Sequence, residues 1–208
     1  FMSMLDMNAL AAAPVAVDPF KYFVATDLLD PETLKEIQVD FPEIDAPGIF
    51  PLSDLTYGPA FRTLINEIRS SELESVMARK FEIDLADKPL MITVRGRCQE
   101  KDGRIHTDTE SKLVTVLLYL NDIWDKGGGR LRFLHGPDDV TDAIAEVPPN
   151  GGTLVAFRRS DLSYHGHESY VGQRRYVMFN WMSTEAAAQR QIARHHLSAT
   201  IKRFLPFA

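Results

Sequence analysis

The texture of the second half of this chain limits its fold more than any other feature. From residue 89 onward the apolar residues come in short runs: LMITVRGR (90–97), KLVTVLLYL (112–120), RLRFL (130–134), TLVAF (153–157) and RYVMFNW (175–181). Each run is the length of a strand and too short for a typical helix, and the apolar period shifts from 3.6 towards 2. Between them lie Gly127-Gly128-Gly129, an Asp-rich stretch near Asp138, and Pro148-Pro149-Asn150-Gly151-Gly152, all residue types that suit turns. Successive short strands with no helix between them predict a sandwich or a jelly-roll barrel.

The first half reads differently. A short strand is expected at 20–24 (FKYFV). Asp30-Pro31-Glu32 then supplies an N-cap, a proline in the first turn and an acid near the positive helix end. Leu34, Ile37 and Phe41 carry that helix to Pro42. Residues 46–57 have no period and read as a loop. A second helix is expected over 60–69, with Phe61, Leu64, Ile65 and Ile68 on one face, and a third opens on the capping box Ser71-x-x-Glu74. A closing helix over 184–205 would bury Ile192, Leu197, Ile201 and Leu205.

The expected architecture is α+β with a mainly β core, a double-stranded β-helix of the jelly-roll or cupin-like kind, flanked by N-terminal helices and a C-terminal helix. One domain spans 1–208: a loosely ordered leader over 1–18, strand and helices over 19–88, the jelly-roll core over 89–182 and the helix over 184–205.

Composition narrows the partners. A net charge of −6 argues against nucleic acid, whose phosphates are held by clustered Lys and Arg. Cys98 is the only cysteine, so no internal disulfide or thiolate cluster can form, and a reducing cytoplasm is the natural compartment. The Ala-rich opening carries Asp6, lacks a basic start and is broken by Pro14, unlike a signal sequence. No stretch has the ~18 apolar residues of a spanning helix, so no membrane partner is expected.

The candidate chemistry centres on Ile105-His106-Thr107-Asp108. In extended backbone, residues i and i+2 project from one face, so His106 and Asp108 can reach one ion. His165, in Ser163-Tyr164-His165-Gly166, is the natural third ligand, lying just before the last strand. Two imidazoles and one carboxylate suit Fe(II) and leave coordination positions open. Ten residues further on, Arg175 opens an apolar strand. A guanidinium turned into a barrel needs an anionic partner, and its fork matches a carboxylate such as the far end of 2-oxoglutarate.

These motifs together, His-Thr-Asp, Tyr119-Leu120-Asn121, the turn and strand of residues 128–132, Tyr164-His165-Gly166 and GQRRYVMFNW, resemble the 2-oxoglutarate/Fe(II)-dependent dioxygenase superfamily in its prolyl 4-hydroxylase-like branch. The resemblance runs from about residue 89 to 181. It implies His106, Asp108 and His165 as iron ligands and Arg175 as the partner of the C5 carboxylate of 2-oxoglutarate. Arg174 is the rival. Arg175 is preferred because the family sets this residue in register with an inward aromatic six positions on, here Trp181, and parity puts Val177 and Phe179 on that face. Thr115, Leu117 and Tyr119 would line the cosubstrate pocket, with the Tyr119 hydroxyl a second donor to the C5 carboxylate.

The implied cofactors are Fe(II), 2-oxoglutarate and O2, with ascorbate a further candidate. The implied reaction hydroxylates an unactivated C–H bond of a small molecule or peptide and releases succinate and CO2. Asp108 favours hydroxylation over halogenation, because related halogenases carry a small residue there. The alternatives are a non-catalytic metal- or ligand-binding jelly-roll module and a metal-dependent cupin-like enzyme that does not use 2-oxoglutarate.

Other residues compete less well. His167 could replace His165, but it stands too few residues before the arginine pair. His135 and the pair His195-His196 read as solvated surface. Gly127-Gly128-Gly129 lacks the Lys-Ser/Thr of a phosphate loop. Arg95 and Arg97, two apart on one strand, are open between structural ion pairing and binding of a substrate anion. Residues 46–57 and 138–149 are the loops expected to select the substrate.

Overall fold

In a computed structural model, which describes residues 3–204 and the side chains only as far as 197, the chain forms two antiparallel sheets with helices packed on the larger one. The strands are β1 (Tyr22–Ala25), β2 (Phe50–Pro51), β3 (Leu90–Cys98), β4 (Lys112–Tyr119), β5 (Leu131–Leu134), β6 (Ala143–Val147), β7 (Leu154–Arg158), β8 (His165–Gly166) and β9 (Gly172–Met182). The helices are α1 (Met7–Ala12), α2 (Pro31–Val39), α3 (Pro59–Ile68), α4 (Ser71–Phe81) and α5 (Glu185–Phe204). The larger sheet runs β1-β7-β4-β9-β3-β2 and the smaller β6-β5-β8.

The central strands β4 and β9 are apolar on both faces because both faces are covered. On one side, Val114, Val116, Leu118, Val177, Phe179 and Trp181 pack against the helices, including Phe61, Leu64, Met77 and Phe81. On the other, Leu117, Tyr119, Tyr176 and Met178 face Leu131 and Phe133 of the smaller sheet. Their register pairs Thr115 with Asn180, Leu117 with Met178 and Tyr119 with Tyr176. The space between the sheets is therefore the inner side of β4 and β9, and the helix-covered side is the outer.

The helix starts follow from local chemistry. The Asp30 carboxylate accepts from the backbone N–H groups of Glu32 and Thr33, both at 3.0 Å. Ser70, not Ser71, caps α4, its hydroxyl accepting from Leu73 N at 3.2 Å. The expected box at Ser71-x-x-Glu74 is thus displaced by one residue, since Ser70 is the residue in extended backbone.

Four expectations need correction. Residues 46–57, read as a loop, hold β2 and a 3-10 turn at Leu52–Asp54, two elements too short to show a period. The opening segment is not a loose leader: Asp6 caps α1, Leu5 and Leu10 are buried in the main core, and the Glu67 carboxylate accepts from Met4 N (2.7 Å) and Leu5 N (3.0 Å). The Met- and Ala-rich run around them shows no clear apolar face, so only its tertiary partners reveal the order. The stretch 138–149 contains the edge strand β6, whose half-exposed residues carry little hydrophobic signal. In α5, Ile192 packs beside Met91 and Met182, but Leu197 is 65% exposed, while Ile201 and Leu205 lie outside the described residues.

Candidate metal centre

His106 and His165 are brought together by backbone pairing. Each donates its N–H to the carbonyl of the other at 3.0 Å, and the two rings stand 4.3 Å apart. Asp108 follows on the same face, two residues on. One ligand atom from each of His106, Asp108 and His165 lies within 4.8 Å of the others. His167 is outside this group among the described residues, although its ring borders the same cavity.

The three donors are prepared for a cation. Nδ1 of His106 lies 2.9 Å from the Arg104 carbonyl, and Nδ1 of His165 lies 2.9 Å from the Ser163 carbonyl. A carbonyl can only accept, so Nδ1 carries the proton in each neutral ring and the Nε2 lone pair is left for a ligand bond. Burial, followed by the smaller effect of His106, pushes the pKa of His165 down to about 4, against the opposing pull of Asp108. Asp108 is buried, which alone would raise its pKa. Lys112 and His165 outweigh that and hold the carboxyl below the usual carboxylate range. Lys112 Nζ donates to Oδ1 at 2.7 Å, and Thr115 Oγ1 donates to Oδ2 at 2.6 Å. Asn180 Nδ2 in turn donates to Thr115 Oγ1 at 2.8 Å. Two imidazoles that point Nε2 away from their carbonyl partners and one fixed, ionised carboxylate form a donor set that fits Fe(II).

A cavity of about 150 Å³ opens beside this group, lined by Thr115, Leu117, Tyr176 and Met178 among others. At its wall stands Arg174, 2% exposed. Its Nε donates to the Gly129 carbonyl at 2.7 Å and its Nη2 to the Tyr119 hydroxyl at 3.2 Å, and the guanidinium lies over both Tyr119 and Tyr176. Burial pushes the Tyr119 hydroxyl up to about 12, so it stays protonated.

Arg175, the residue expected here, is elsewhere. Its guanidinium lies 4.9 Å from the ring centre of Phe41, on the helix-covered side. The parity argument grouped Arg175, Val177, Phe179 and Trp181 correctly, but that face packs against the helices and not into the cavity. The arginine at the cavity wall is instead Arg174, which shares its face with Tyr176, Met178 and Asn180.

Arg95 and Arg97 do not share a face either. A register irregularity separates them, leaving Arg95 buried at the cavity and Arg97 exposed. Lys112 and Asn180 escaped the sequence reading. For Asn180 a signal exists, an amide inside an apolar strand. Lys112 gives none, since a lysine opening a strand is ordinarily solvated.

Comparison with known proteins fits this geometry. Residues 96–183 match the 2OG-Fe(II) oxygenase superfamily. No curated protein matches the chain. Among solved structures, a Pseudomonas putida prolyl-4-hydroxylase is similar at a TM-score of 0.56 and 16% identity, over 85% of this chain and 90% of that one. The viral collagen prolyl hydroxylase of Paramecium Bursaria Chlorella virus-1, in a 2OG complex, gives 0.53 and 15%, over 79% and 96%. HygX from Streptomyces hygroscopicus, with nickel and 2-oxoglutarate bound, gives 0.54 and 14%, over 81% and 84%.

Proposed function

We propose that this chain, whose residues 96–183 match the 2OG-Fe(II) oxygenase superfamily, is an Fe(II)- and 2-oxoglutarate-dependent dioxygenase that hydroxylates an unactivated C–H bond. The observation that carries this reading is the meeting, at one cavity, of the His106, Asp108 and His165 donors with the buried guanidinium of Arg174. A metal site alone fits many enzymes. A metal site with a buried arginine beside it fits a ligand that has one anionic end for the protein and another for the metal.

In this reading His106, Asp108 and His165 hold the iron, and the two facing sheets form a double-stranded β-helix around it. Bound iron with 2-oxoglutarate and O2 supplies the oxidising chemistry, releasing succinate and CO2. Arg174 holds the C5 carboxylate of 2-oxoglutarate, and the Tyr119 hydroxyl is a second donor to it. Thr115 orients Asp108. Leu117 and Met178 form an apolar wall that keeps water out and strengthens the electrostatic contacts inside. No helix among the described residues is long and apolar enough to cross a membrane. The single buried Cys98 suits a reducing cytoplasm. Prolyl hydroxylation is named for two of the similar structures, but at 15–16% identity they speak for the fold. The substrate class here is a small molecule or a peptide.

The test is anaerobic addition of Fe(II) and 2-oxoglutarate to the metal-free protein, followed by visible absorption and by succinate release on admitting air. A weak charge-transfer band and slow uncoupled succinate formation are expected. A folded protein that shows neither is a ligand-binding module and not an oxygenase.

A further inference from the structure

The cavity beside the metal centre is positively charged in an acidic protein. Its wall carries Arg95, Arg104, Lys112 and Arg174 against the single carboxylate of Asp108, while the chain as a whole has a net charge of −6. The proposed chemistry accounts for two of these cations: Lys112 is held by Asp108, and Arg174 is assigned to 2-oxoglutarate. The charges of Fe(II) and a 2-oxoglutarate dianion offset each other, so binding them leaves Arg104 without a counter-charge and Arg95 with Asp102 on one edge of its guanidinium.

Arg95 is 8% exposed. Its Nη1 faces Asp102 Oδ2 at 2.5 Å, but its Nε has no hydrogen-bond partner among the described residues. An unmatched buried guanidinium N–H is costly, and Arg95 is itself among the residues lining the cavity, so the part of its guanidinium that Asp102 does not hold is available to a ligand acceptor. Asp102 Oδ2 also accepts from Gln99 N at 2.9 Å, so it anchors the turn that carries Arg104 as well as one edge of Arg95. That turn is fixed to the site: the Gly103 carbonyl accepts from His167 N at 3.0 Å, and a Cβ at Gly103 would come within 2.3 Å of the His167 carbonyl oxygen. Arg104 itself is exposed at the rim, with no carboxylate partner among the described residues.

We propose that this site selects a substrate bearing a compact oxyanion, a carboxylate or a phosphate, with Arg104 receiving it at the rim and Arg95 holding it from the wall. The inference rests on the dioxygenase reading and names its substrate class. The cavity of about 150 Å³ is smaller than the ~300–1,000 Å³ of ordinary ligand pockets. The cosubstrate therefore occupies the interior and the charged end of the substrate stays near the mouth. A neutral prolyl side chain would leave Arg104 without a counter-charge and Arg95 with Asp102 alone, which disfavours it.

The experiment loads the protein with Mn(II) and 2-oxoglutarate without oxygen and follows binding by calorimetry. The probes are matched pairs: amino and hydroxy acids against their carboxamides, and phosphomonoesters against their parent alcohols. The anionic members should bind at least tenfold more tightly than their neutral partners, and the half of the panel that does so names the anion. The exposed-site variant Arg104→Glu should abolish the preference, and Arg95→Lys, which keeps the charge but loses the fork, should weaken it several-fold. Near-UV circular dichroism checks the fold of both. Equal binding of acids and amides, anion binding unchanged in both variants, or no anionic probe bound at millimolar concentration each overturns the proposal. Failure to bind 2-oxoglutarate in the first titration overturns the dioxygenase reading and this inference with it. Bound 2-oxoglutarate with no preference for anions overturns this inference alone.

Discussion

Arg174 reaches the Tyr119 hydroxyl at 3.2 Å between the two sheets, while its sequence neighbour Arg175 lies over Phe41 on the opposite side of the same strand. The two arginines therefore make separable predictions. Arg174→Ala should weaken 2-oxoglutarate binding by roughly 2–5 kcal/mol, thirtyfold or more, because a buried carboxylate would lose its charged partner. Arg175→Ala should change it less than about threefold, since this half-buried cation stands over Phe41 on the far face of the strand, away from the cavity. Calorimetry on the Mn(II) form measures both, and the opposite ranking would return the carboxylate to Arg175.

The hydrogen-bonded series Asn180, Thr115, Asp108 predicts an effect on the metal from a residue that does not bind it. Thr115→Val keeps the shape of the side chain but removes the donor to Asp108 Oδ2 and the acceptor for Asn180 Nδ2. Metal affinity should fall by about 10–100-fold. His165→Ala should lose more, and His167→Ala should retain metal near the wild-type level. A competition titration with a fluorescent chelator reads all three, and metal loss in His167→Ala with retention in His165→Ala would reverse the ligand assignment.

Acid should destabilise the metal-free protein in a defined window. The pKa values of His165 and His167 are both pushed down to about 4 from an ordinary value of 6.5, so the unfolded chain takes up their protons first. Stability is therefore highest above pH 6.5 and declines as the pH falls towards 4, with a slope of at most roughly 1.4 kcal/mol per pH unit for each histidine. Asp108, whose pKa is depressed, loses its contribution only below its ordinary value of 3.8. Urea denaturation across pH 4–7 should show this slope, reduced in His167→Gln. A flat profile in the native chain would mean that neither ring is held neutral by burial.

The buried opening segment predicts a core effect far from the site. Leu10 is 0% exposed, so Leu10→Ala should cost about 2–5 kcal/mol. A change below about 0.5 kcal/mol in the urea midpoint analysis would show that α1 does not pack as described.

That His106, Asp108 and His165 come together was legible in the sequence to an unusual degree. His106 and Asp108 share a face because extended backbone alternates over two residues, a local rule that needs no tertiary contact. His165 was found by its place before an apolar strand. The β-rich second half and the caps and periods of α2 and α3 were legible for the same reason, since turn chemistry and periodicity are written within a few residues.

What only the tertiary structure decided is which side of a doubly buried strand is the inside. β4 and β9 are apolar on both faces, so parity groups Arg174 with Tyr176 and Arg175 with Val177 but cannot say which group meets the metal. That depends on the helices taking Val177, Phe179 and Trp181 on one side and on the smaller sheet taking Tyr119 and Tyr176 on the other. The choice also sets Lys112 against Asp108 and Arg95 at the cavity wall beside Asp102. These are contacts between residues distant in the chain or across a turn, with energies set by burial, and burial is a property of the folded assembly that no local pattern encodes.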